Sequence, residues 1–143
     1  MTFYNSLLPG RIIMGRLQHG ADLLEELTDI CRKEKIQQAR IEALGAVQKA
    51  RIGFYCQEKR EYQFREFDRH LEITTLGGNV SLKDGEPFVH AHITLADSEG
   101  NALGGHLAAG TVVFACEFTI QELSGVQFRR SYDDITGLHL WNP

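Results

Sequence analysis

The sequence contains no long hydrophobic run and no excess of basic charge, and each absence excludes a class of protein. No stretch approaches the roughly 18 consecutive apolar residues that a membrane-spanning helix needs, so we expect no membrane partner. The N-terminal segment MTFYNSLLPGRIIMGRL lacks a basic region followed by a long apolar run, so we expect no signal peptide.

Cysteine is also scarce. Cys31, Cys56 and Cys116 are widely spaced and form no Cys-x-x-Cys pair. An odd, scattered set of thiols is typical neither of a disulfide framework nor of a zinc ribbon. Reduced thiols are the simpler interpretation, which indicates a cytoplasmic protein.

The charge balance limits the possible partners. There are 15 lysines and arginines against 19 aspartates and glutamates, which gives a net charge of −4 at pH 7. Proteins that bind nucleic acid mainly through their own surface are usually basic. Direct DNA binding would therefore need a local basic patch, a partner or an appended arm. The 143 residues, 43% of them hydrophobic, fit a single domain over residues 1–143.

The pattern of apolar residues predicts one helix followed mainly by strands. Apolar residues recur at helical spacing over 21–35, with acidic residues early and basic residues late, as the helix dipole favours. Strands are predicted at 11–17, 39–47, 50–56, 61–67, 70–78, 88–95, 102–108 and 111–122. We expect the strand over 39–47 to end or bend at Gly45, and the backbone to bend or bulge at Gly77–Gly78. The fold class is therefore α+β, a mostly antiparallel sheet flanked by one or two helices.

Half of the six histidines lie in one stretch, EPFVHAHITLADSEGNALGGHLAAG, residues 86–110. In the predicted strand 88–95, purely apolar residues alternate with a second set that includes His90 and His92. Because alternate side chains of a strand point to opposite faces, both imidazoles share one face, with Cβ atoms about 7 Å apart. One metal ion is within reach of both.

A turn adds the third histidine. Residues 98–100 fit a three-residue hairpin loop, with Gly100 at the left-handed position of a G1 bulge. In that register His92 faces His106, and directly opposed residues share a face of the sheet. A loop of two or four residues would turn His106 away, so the prediction depends on the loop length.

Three neutral imidazoles are a normal ligand set for zinc, and they leave a fourth position for water or substrate. His90, His92 and His106 are therefore the predicted ligands of zinc or of another divalent metal. The alternative interpretation makes them hydrogen-bonded residues of a surface or an interface.

Four further residues are candidates for roles around this metal. Gly104 and Gly105 lack side chains and are predicted to leave open space, beside Thr94, for a ligand or another subunit. Glu117 lies between apolar neighbours on a predicted central strand, where a carboxylate needs a partner or a raised pKa. It is the candidate general base or histidine-orienting residue, with a simple ion pair as the alternative. Asn79, which follows two glycines, is either a pocket residue or a plain turn residue.

Three segments together resemble the plants-and-prokaryotes conserved (PPC) domain: IEALGAVQKARIGFY, LEITTLGGNVSLKDGEPFVHAHITLAD and GGHLAAGTVVFACEFTI. The resemblance covers nearly the whole chain, and bacterial single-domain members are similar in length. It implies a compact domain that assembles as a homotrimer and is often described as a candidate DNA-binding protein. The three histidines match the motif of the prokaryotic members, where they look like zinc ligands.

Plant proteins with this domain carry an AT-hook, an Arg-Gly-Arg-Pro arm that enters the minor groove of AT-rich DNA. The sequence has no such arm, the nearest text being PGRIIMGR. Near the other end, Arg129–Arg130 and Asp133–Asp134 form a compact cluster of charges. We interpret that cluster as ion pairing at the surface or at a trimer interface.

Two functions therefore stay open from the sequence. The first is a trimeric PPC-domain binding module with a metal and a DNA-associated role. The second is a zinc-dependent lyase or hydrolase acting on a small oxygen-rich substrate, similar to acetolactate decarboxylase, whose fold the domain is thought to share. There the metal would act as a Lewis acid or lower the pKa of a bound water, and Glu117 would carry the proton.

Overall fold

The computed structural model describes residues 2–142, which form one sheet and one helix. In chain order the elements are β1 (Leu8–Leu17), α1 (Leu23–Lys33), β2 (Ala39–Cys56), β3 (Glu61–Phe67), β4 (Leu71–Lys83), β5 (Glu86–Ala96), β6 (Ala102–Leu107), β7 (Val112–Ser124), β8 (Arg129–Asp133) and β9 (Leu138–Trp141). The predicted α+β class is confirmed. The two strands predicted at 39–47 and 50–56 are one continuous strand, β2.

The sheet has the strand order β1-β7-β2-β6-β5-β4-β8-β9, and β3 pairs with β2 beside this path. Strand β2 also pairs with β4, so β2, β6, β5 and β4 close a ring of hydrogen-bonded strands. This closure is possible because β2 is 18 residues long. Its first half pairs with β4 and β7, and its second half pairs with β3 and β6.

Helix α1 is two residues shorter at each end than the sequence pattern predicts. Asp22 is the N-cap, because its carboxylate accepts hydrogen bonds from the backbone N–H groups of Leu24 and Glu25. After the last turn, Lys35 adopts a left-handed conformation with φ +57°, which stops the helix. No helix within residues 2–142 is both long enough and apolar enough to cross a bilayer.

The hydrophobic core lies between α1 and the inner face of the sheet. Along β5, buried apolar side chains alternate with half-buried or exposed ones, as predicted. The largest fully buried side chains of the core include Leu23, Leu27, Ile41, Leu76, Ile93 and Leu95. Because α1 contacts β5, the apolar face of β5 is covered and its other face is left to His90 and His92.

Strand β2 does not end at Gly45 but carries a bulge there, whereas no bulge forms at Gly77 and Gly78. The register of β2 against β4 shifts between Ala43 and Gly45, where Gly45 has φ +140°. The expected bend at Gly77–Gly78 is wrong, because β4 passes through both glycines in regular register with β5. Gly78 instead allows a close approach of the two backbones, since a Cβ there would lie 2.5 Å from the carbonyl oxygen of His90.

The last two strands form a hairpin that the sequence pattern does not predict. Strand β8 pairs in parallel with β4 through two residue pairs, one of which joins Arg130 to Lys83, and antiparallel with β9. The indole N–H of Trp141 fastens the hairpin to the sheet by donating to Ser81 Oγ at 2.9 Å. Strands of five and four residues contain too few alternations for a sequence pattern to reveal them.

Candidate metal centre

The β5–β6 hairpin has the three-residue loop that the sequence predicts. The backbone N–H of Asp97 donates to the carbonyl oxygen of Asn101 at 3.1 Å, and Gly100 has φ +82°. The Asp97 carboxylate accepts hydrogen bonds from the side-chain amide and backbone N–H of Asn101 and from the backbone N–H of Glu99. These bonds lower the pKa of Asp97 and hold the loop at this length.

His90, His92 and His106 gather on one side of this hairpin. His92 lies directly opposite His106, as the loop length predicts, and His90 precedes it by two residues on the same strand. One ring nitrogen of each histidine lies within 4.8 Å of those of the other two. The ring centroids are 5.4, 5.2 and 5.6 Å apart. His92 is exposed and the other two rings are half-buried.

Burial keeps two of these imidazoles neutral. It lowers the pKa of His90 to about 4, and the charges of Arg130 and the other two histidines add to the effect. It also lowers the pKa of His106 to about 4, with smaller contributions from His92 and Arg130. A neutral imidazole has a free lone pair, so both rings can ligate a metal at pH 7 without first losing an added proton.

The Nδ1 atom of His106 is buried and has no hydrogen-bond partner among residues 2–142. A buried polar atom without a partner costs about 1–3 kcal/mol, and native structures therefore pair nearly all of them. An ion ligated by this Nδ1 atom would compensate for this cost. The residues thus fit a divalent cation, because neutral nitrogen donors lie close together and one ring lacks another partner.

Tyr62 of β3 reaches the candidate metal centre across strand β2. Its ring centroid lies 4.6 Å from that of His106. Burial raises the pKa of the Tyr62 hydroxyl, which therefore stays protonated at neutral pH. Gly53, opposite His106 in β2, makes room for the ring, because a Cβ there would lie 3.1 Å from Tyr62 Cδ1. Tyr62 is not among the residues predicted from the sequence, because nothing local links Gly53, which stands between Ile52 and Phe54, to a side chain of the next strand.

Arg130 of β8 borders the three histidines and was also missed as a site residue. One terminal nitrogen of its guanidinium donates to Asn79 Oδ1 at 2.8 Å and lies 3.4 Å from Nδ1 of His90. Its other nitrogens donate to Ser81 Oγ at 2.9 Å and to the carbonyl oxygen of His139 at 3.1 Å. Asn79, a predicted pocket residue, is therefore linked to His90, because the same nitrogen of Arg130 contacts both side chains.

Arg130 does not form the predicted surface ion pair with Asp133 or Asp134 of its own chain, and pairing across a trimer interface stays a prediction. Within residues 2–142, Arg130 has no carboxylate oxygen within 4.0 Å of its nitrogens. Asp133 turns to its own loop, where its carboxylate accepts hydrogen bonds from the backbone N–H and hydroxyl of Thr136. The charge of Arg130 is thus directed toward the histidines and is not neutralised.

Gly104 and Gly105 have a different role from the predicted one. A Cβ at Gly104 would lie 2.5 Å from the carbonyl oxygen of Ile93, and one at Gly105 would lie 2.6 Å from that of Gly53. The two glycines allow β6 to approach its neighbouring strands and do not leave open space beside Thr94. Gly104 lines a separate cavity of about 490 Å³ at strands β2, β3 and β6.

Glu117 lies on β7, a central strand as predicted, but its side chain is exposed. It stands opposite Arg16 of β1 and Leu44 of β2. Two strands separate β7 from β5, so their backbones lie roughly 14 Å apart at the usual strand spacing. Glu117 lines a groove of about 590 Å³ with Met14 and Glu42, and none of the three histidines lines that groove. The structure therefore does not bring Glu117 to the candidate metal centre of the same chain.

The chain matches one family profile and is similar to several solved structures. The profile of the Plants and Prokaryotes Conserved (PCC) domain matches residues 4–124. A metal-containing protein from Archaeoglobus fulgidus is 41% identical with a TM-score of 0.94, over 99% of this chain and 100% of that one. A plant- and prokaryote-conserved (PPC) protein from Pyrococcus horikoshii is 39% identical with a TM-score of 0.94, over 99% of this chain and 98% of that one.

Other similar proteins carry different names. A protein from Ralstonia eutropha, provisionally designated as DNA-binding, is 25% identical with a TM-score of 0.81, over 91% of this chain and 90% of that one. The α-acetolactate decarboxylase of Bacillus subtilis is 16% identical with a TM-score of 0.57, over 82% of this chain and 54% of the enzyme, a likeness of fold alone. The bifunctional protein GlmU of two Synechococcus strains is 30% and 31% identical over 89% and 85% of this chain. The chain spans only 20% and 18% of the length of these curated relatives.

Proposed function

This chain belongs to the Plants and Prokaryotes Conserved domain family, and on that basis we propose that it is a metal-binding protein whose His90, His92 and His106 hold one divalent ion. The observation that carries the proposal is that one ring nitrogen of each histidine lies within 4.8 Å of the other two. A zinc–nitrogen bond is about 2.0–2.1 Å long, so small side-chain rotations bring all three nitrogens to one ion. The similar protein from Archaeoglobus fulgidus, described as metal-containing, supports the proposal.

Zinc suits this set of donors better than a hard cation does. Imidazole nitrogens favour zinc and the neighbouring transition metals, whereas magnesium and calcium favour oxygen ligands. Three protein ligands leave one position open, as in catalytic rather than structural zinc sites. When bound, the ion would supply a Lewis acid and an acidified water molecule.

Elemental analysis tests the metal proposal directly. Protein that has been stripped with a chelator, incubated with excess zinc and desalted should retain close to one ion per chain. Retention of no zinc, or of the same amount in a variant without one of the three imidazoles, would overturn the proposal. Three imidazole ligands from a rigid hairpin bind zinc tightly, so we expect the retained metal to survive desalting.

We further propose that the chain assembles as a homotrimer. The edge strand β1 pairs with β7 alone among the described strands and exposes large apolar side chains. Ile12 is 62% exposed and Met14 is 76% exposed, which is unusual for an edge that faces only water. Light scattering should give a mass three times the 16.1 kDa of the chain. A monomeric mass at micromolar concentration would contradict the assembly.

We also propose a DNA-associated role, which is based on the family alone. We expect this role to be indirect, so that the chain itself does not bind DNA tightly. Four arginines are neutralised by carboxylates: Arg11 by Glu34 and Glu122, Arg32 by Asp29 and Glu86, Arg40 by Glu42, and Arg51 by Glu66. Paired arginines on a chain of net charge −4 attract phosphates poorly. The chain would then act on AT-rich DNA through a partner or an appended basic segment.

A gel-shift titration on an AT-rich duplex at two salt concentrations tests this role. We expect weak retardation at low salt that disappears at higher salt, because phosphate contacts release counterions. Retardation that resists salt would contradict the indirect role. The absence of retardation even at low salt would favour the second candidate function, an enzyme.

The second candidate is a zinc-dependent lyase or hydrolase that acts on a small oxygen-rich substrate. The observation that favours it is the pair of polar groups beside the histidines, the Arg130 guanidinium and the protonated Tyr62 hydroxyl. Arg130 would orient an anionic group of the substrate, and the Tyr62 hydroxyl would donate a hydrogen bond or a proton. Glu117 could take part only from a neighbouring subunit of the proposed trimer.

For both candidate functions, we propose that the chain is a single domain of residues 1–143 located in the cytoplasm. Cys31 and Cys116 are buried free thiols, and Cys56 is a half-buried free thiol. Unpaired cysteines are typical of a reducing compartment, which supports the cytoplasmic assignment.

A further inference from the structure

The position of Arg130 is fixed more firmly than that of an ordinary surface arginine. The guanidinium donates to three neutral oxygens, on Asn79, Ser81 and His139. Its central carbon also lies 5.3 Å from the ring centroids of Phe88 and Trp141, one on β5 and the other on β9. Contacts on several sides hold the charge in one place, so little side-chain entropy is lost when it meets a ligand.

The charges around the candidate metal centre do not balance. The chain has 19 acidic residues against 15 basic ones, and none within residues 2–142 places a carboxylate oxygen within 4.0 Å of Arg130. A guanidinium nitrogen lies 3.4 Å from Nδ1 of His90. A divalent ion on three neutral imidazoles would therefore stand beside a fixed positive charge, and an anion is needed to offset their repulsion.

We propose that the three histidines and Arg130 form a receptor for a small carboxylate, with one carboxylate oxygen on the metal and the other on the Arg130 guanidinium. This inference rests on the metal binding proposed above. The aromatic ring of Tyr62 lies against His106 and limits the space on that side of the histidines, which favours a small ligand. Arg130 lies beyond the family profile, which ends at residue 124, so the receptor adds to what the profile describes.

The donors left on Arg130 favour a carboxylate over phosphate. A guanidinium has five N–H groups, and three of those of Arg130 already serve Asn79, Ser81 and His139. A fourth N–H group belongs to the nitrogen that lies 3.4 Å from Nδ1 of His90. One N–H group remains, enough for one carboxylate oxygen, whereas the several oxygens of a phosphate group would need more donors.

Cobalt(II) substitution provides a test with a spectroscopic readout. The chelator-stripped protein is loaded with cobalt(II), its metal content is measured, and acetate is titrated while the visible absorption of the ion is followed. We expect a saturable spectral change with acetate and none with acetamide, which is similar in shape but uncharged. Inorganic phosphate is the comparison anion, and tighter binding of phosphate than of acetate would refute the choice of a carboxylate.

The matched variants are Arg130→Gln and Arg129→Gln, two adjacent arginines of which only the first borders the histidines. Loss of a charge-assisted hydrogen bond should weaken acetate binding about tenfold or more in Arg130→Gln, and Arg129→Gln should bind as the wild type does. Arg130→Gln should hold cobalt more tightly than the wild type, because a repelling charge is gone. A purely structural role of Arg130 would not produce that gain.

Each outcome separates this inference from the metal proposal. If the wild type retains no cobalt, the metal proposal fails and the receptor fails with it. If the wild type retains cobalt but acetate causes no change, or binds equally to Arg130→Gln, only the receptor is refuted. Should Arg130→Gln not fold, Arg130→Lys serves instead, since it keeps the charge without the planar fork. Unchanged acetate affinity in that variant would count against the receptor, and weaker affinity would support it.

Discussion

The His92→Ala protein should lose its metal while keeping its fold. Removal of one of three ligands lowers zinc affinity by more than about 100-fold, which exceeds the effect of changing an outer hydrogen bond. His92 is the exposed member of the triad formed by His90, His92 and His106, so its loss leaves no cavity in the core. Elemental analysis after zinc loading and desalting should give close to one ion for the wild type and almost none for the variant.

A thermal measurement gives an independent readout of the same change. A ligand that binds only the folded state stabilises it by about 4 kcal/mol when its free concentration is about a thousand times Kd. Zinc should therefore raise the melting temperature of the wild type by several degrees and leave that of His92→Ala unchanged. His70→Ala is the matched control, because His70 is also an exposed histidine but lies outside the triad. Equal metal content in His92→Ala and His70→Ala would refute the site.

The Gly45→Ala protein should be destabilised by about 3 kcal/mol or more, the largest effect on folding that we expect from a single methyl group. Gly45 has φ +140°, which an alanine adopts only with strain. Its new Cβ would also collide with the carbonyl oxygen of Ala115 on the neighbouring strand β7. Because β2 pairs with both β4 and β7 here, neither neighbour can move away freely.

Urea denaturation measures this loss, and Gly77→Ala is its control. Gly77 lies on the adjacent strand β4, has no positive φ, and a Cβ there would meet no atom within 4 Å. The same substitution should therefore change the free energy of unfolding by less than about 1 kcal/mol at Gly77. Similar destabilisation of the two variants would show that the bulge does not require a glycine at position 45.

The β5–β6 hairpin, which carries the three histidines, could be predicted because strand alternation and loop length are local features of the sequence. Strand alternation places His90 and His92 on one face, and the loop before Gly100 sets the register that brings His106 opposite. The helix and most strands were predictable for the same reason, since periodicity is read within one segment. The ends of α1 were not, because the cap at Asp22 and the left-handed Lys35 override the periodic pattern.

The neighbours of the triad could not be predicted because they arrive from distant parts of the chain. Arg130 is 40 residues from His90 in sequence, and it is delivered by a hairpin too short to leave a pattern. Tyr62 reaches His106 across strand β2, which requires β2 to lie between β3 and β6 and Gly53 to lack a side chain. Glu117 illustrates the opposite error, since a carboxylate between apolar residues suggests burial, yet the alternation of β7 turns it to the exposed face.

The β8–β9 hairpin brings Arg130 to the site, whereas the β5–β6 hairpin carries the three histidines. All three histidines lie within residues 4–124, whereas Arg130 lies after them on a strand joined to the sheet by two residue pairs. The bond from Trp141 to Ser81 and those from Arg130 to Asn79 and Ser81 are therefore what hold this charge beside the histidines. Loss of the hairpin would leave the three imidazoles in place and remove the positive charge next to them.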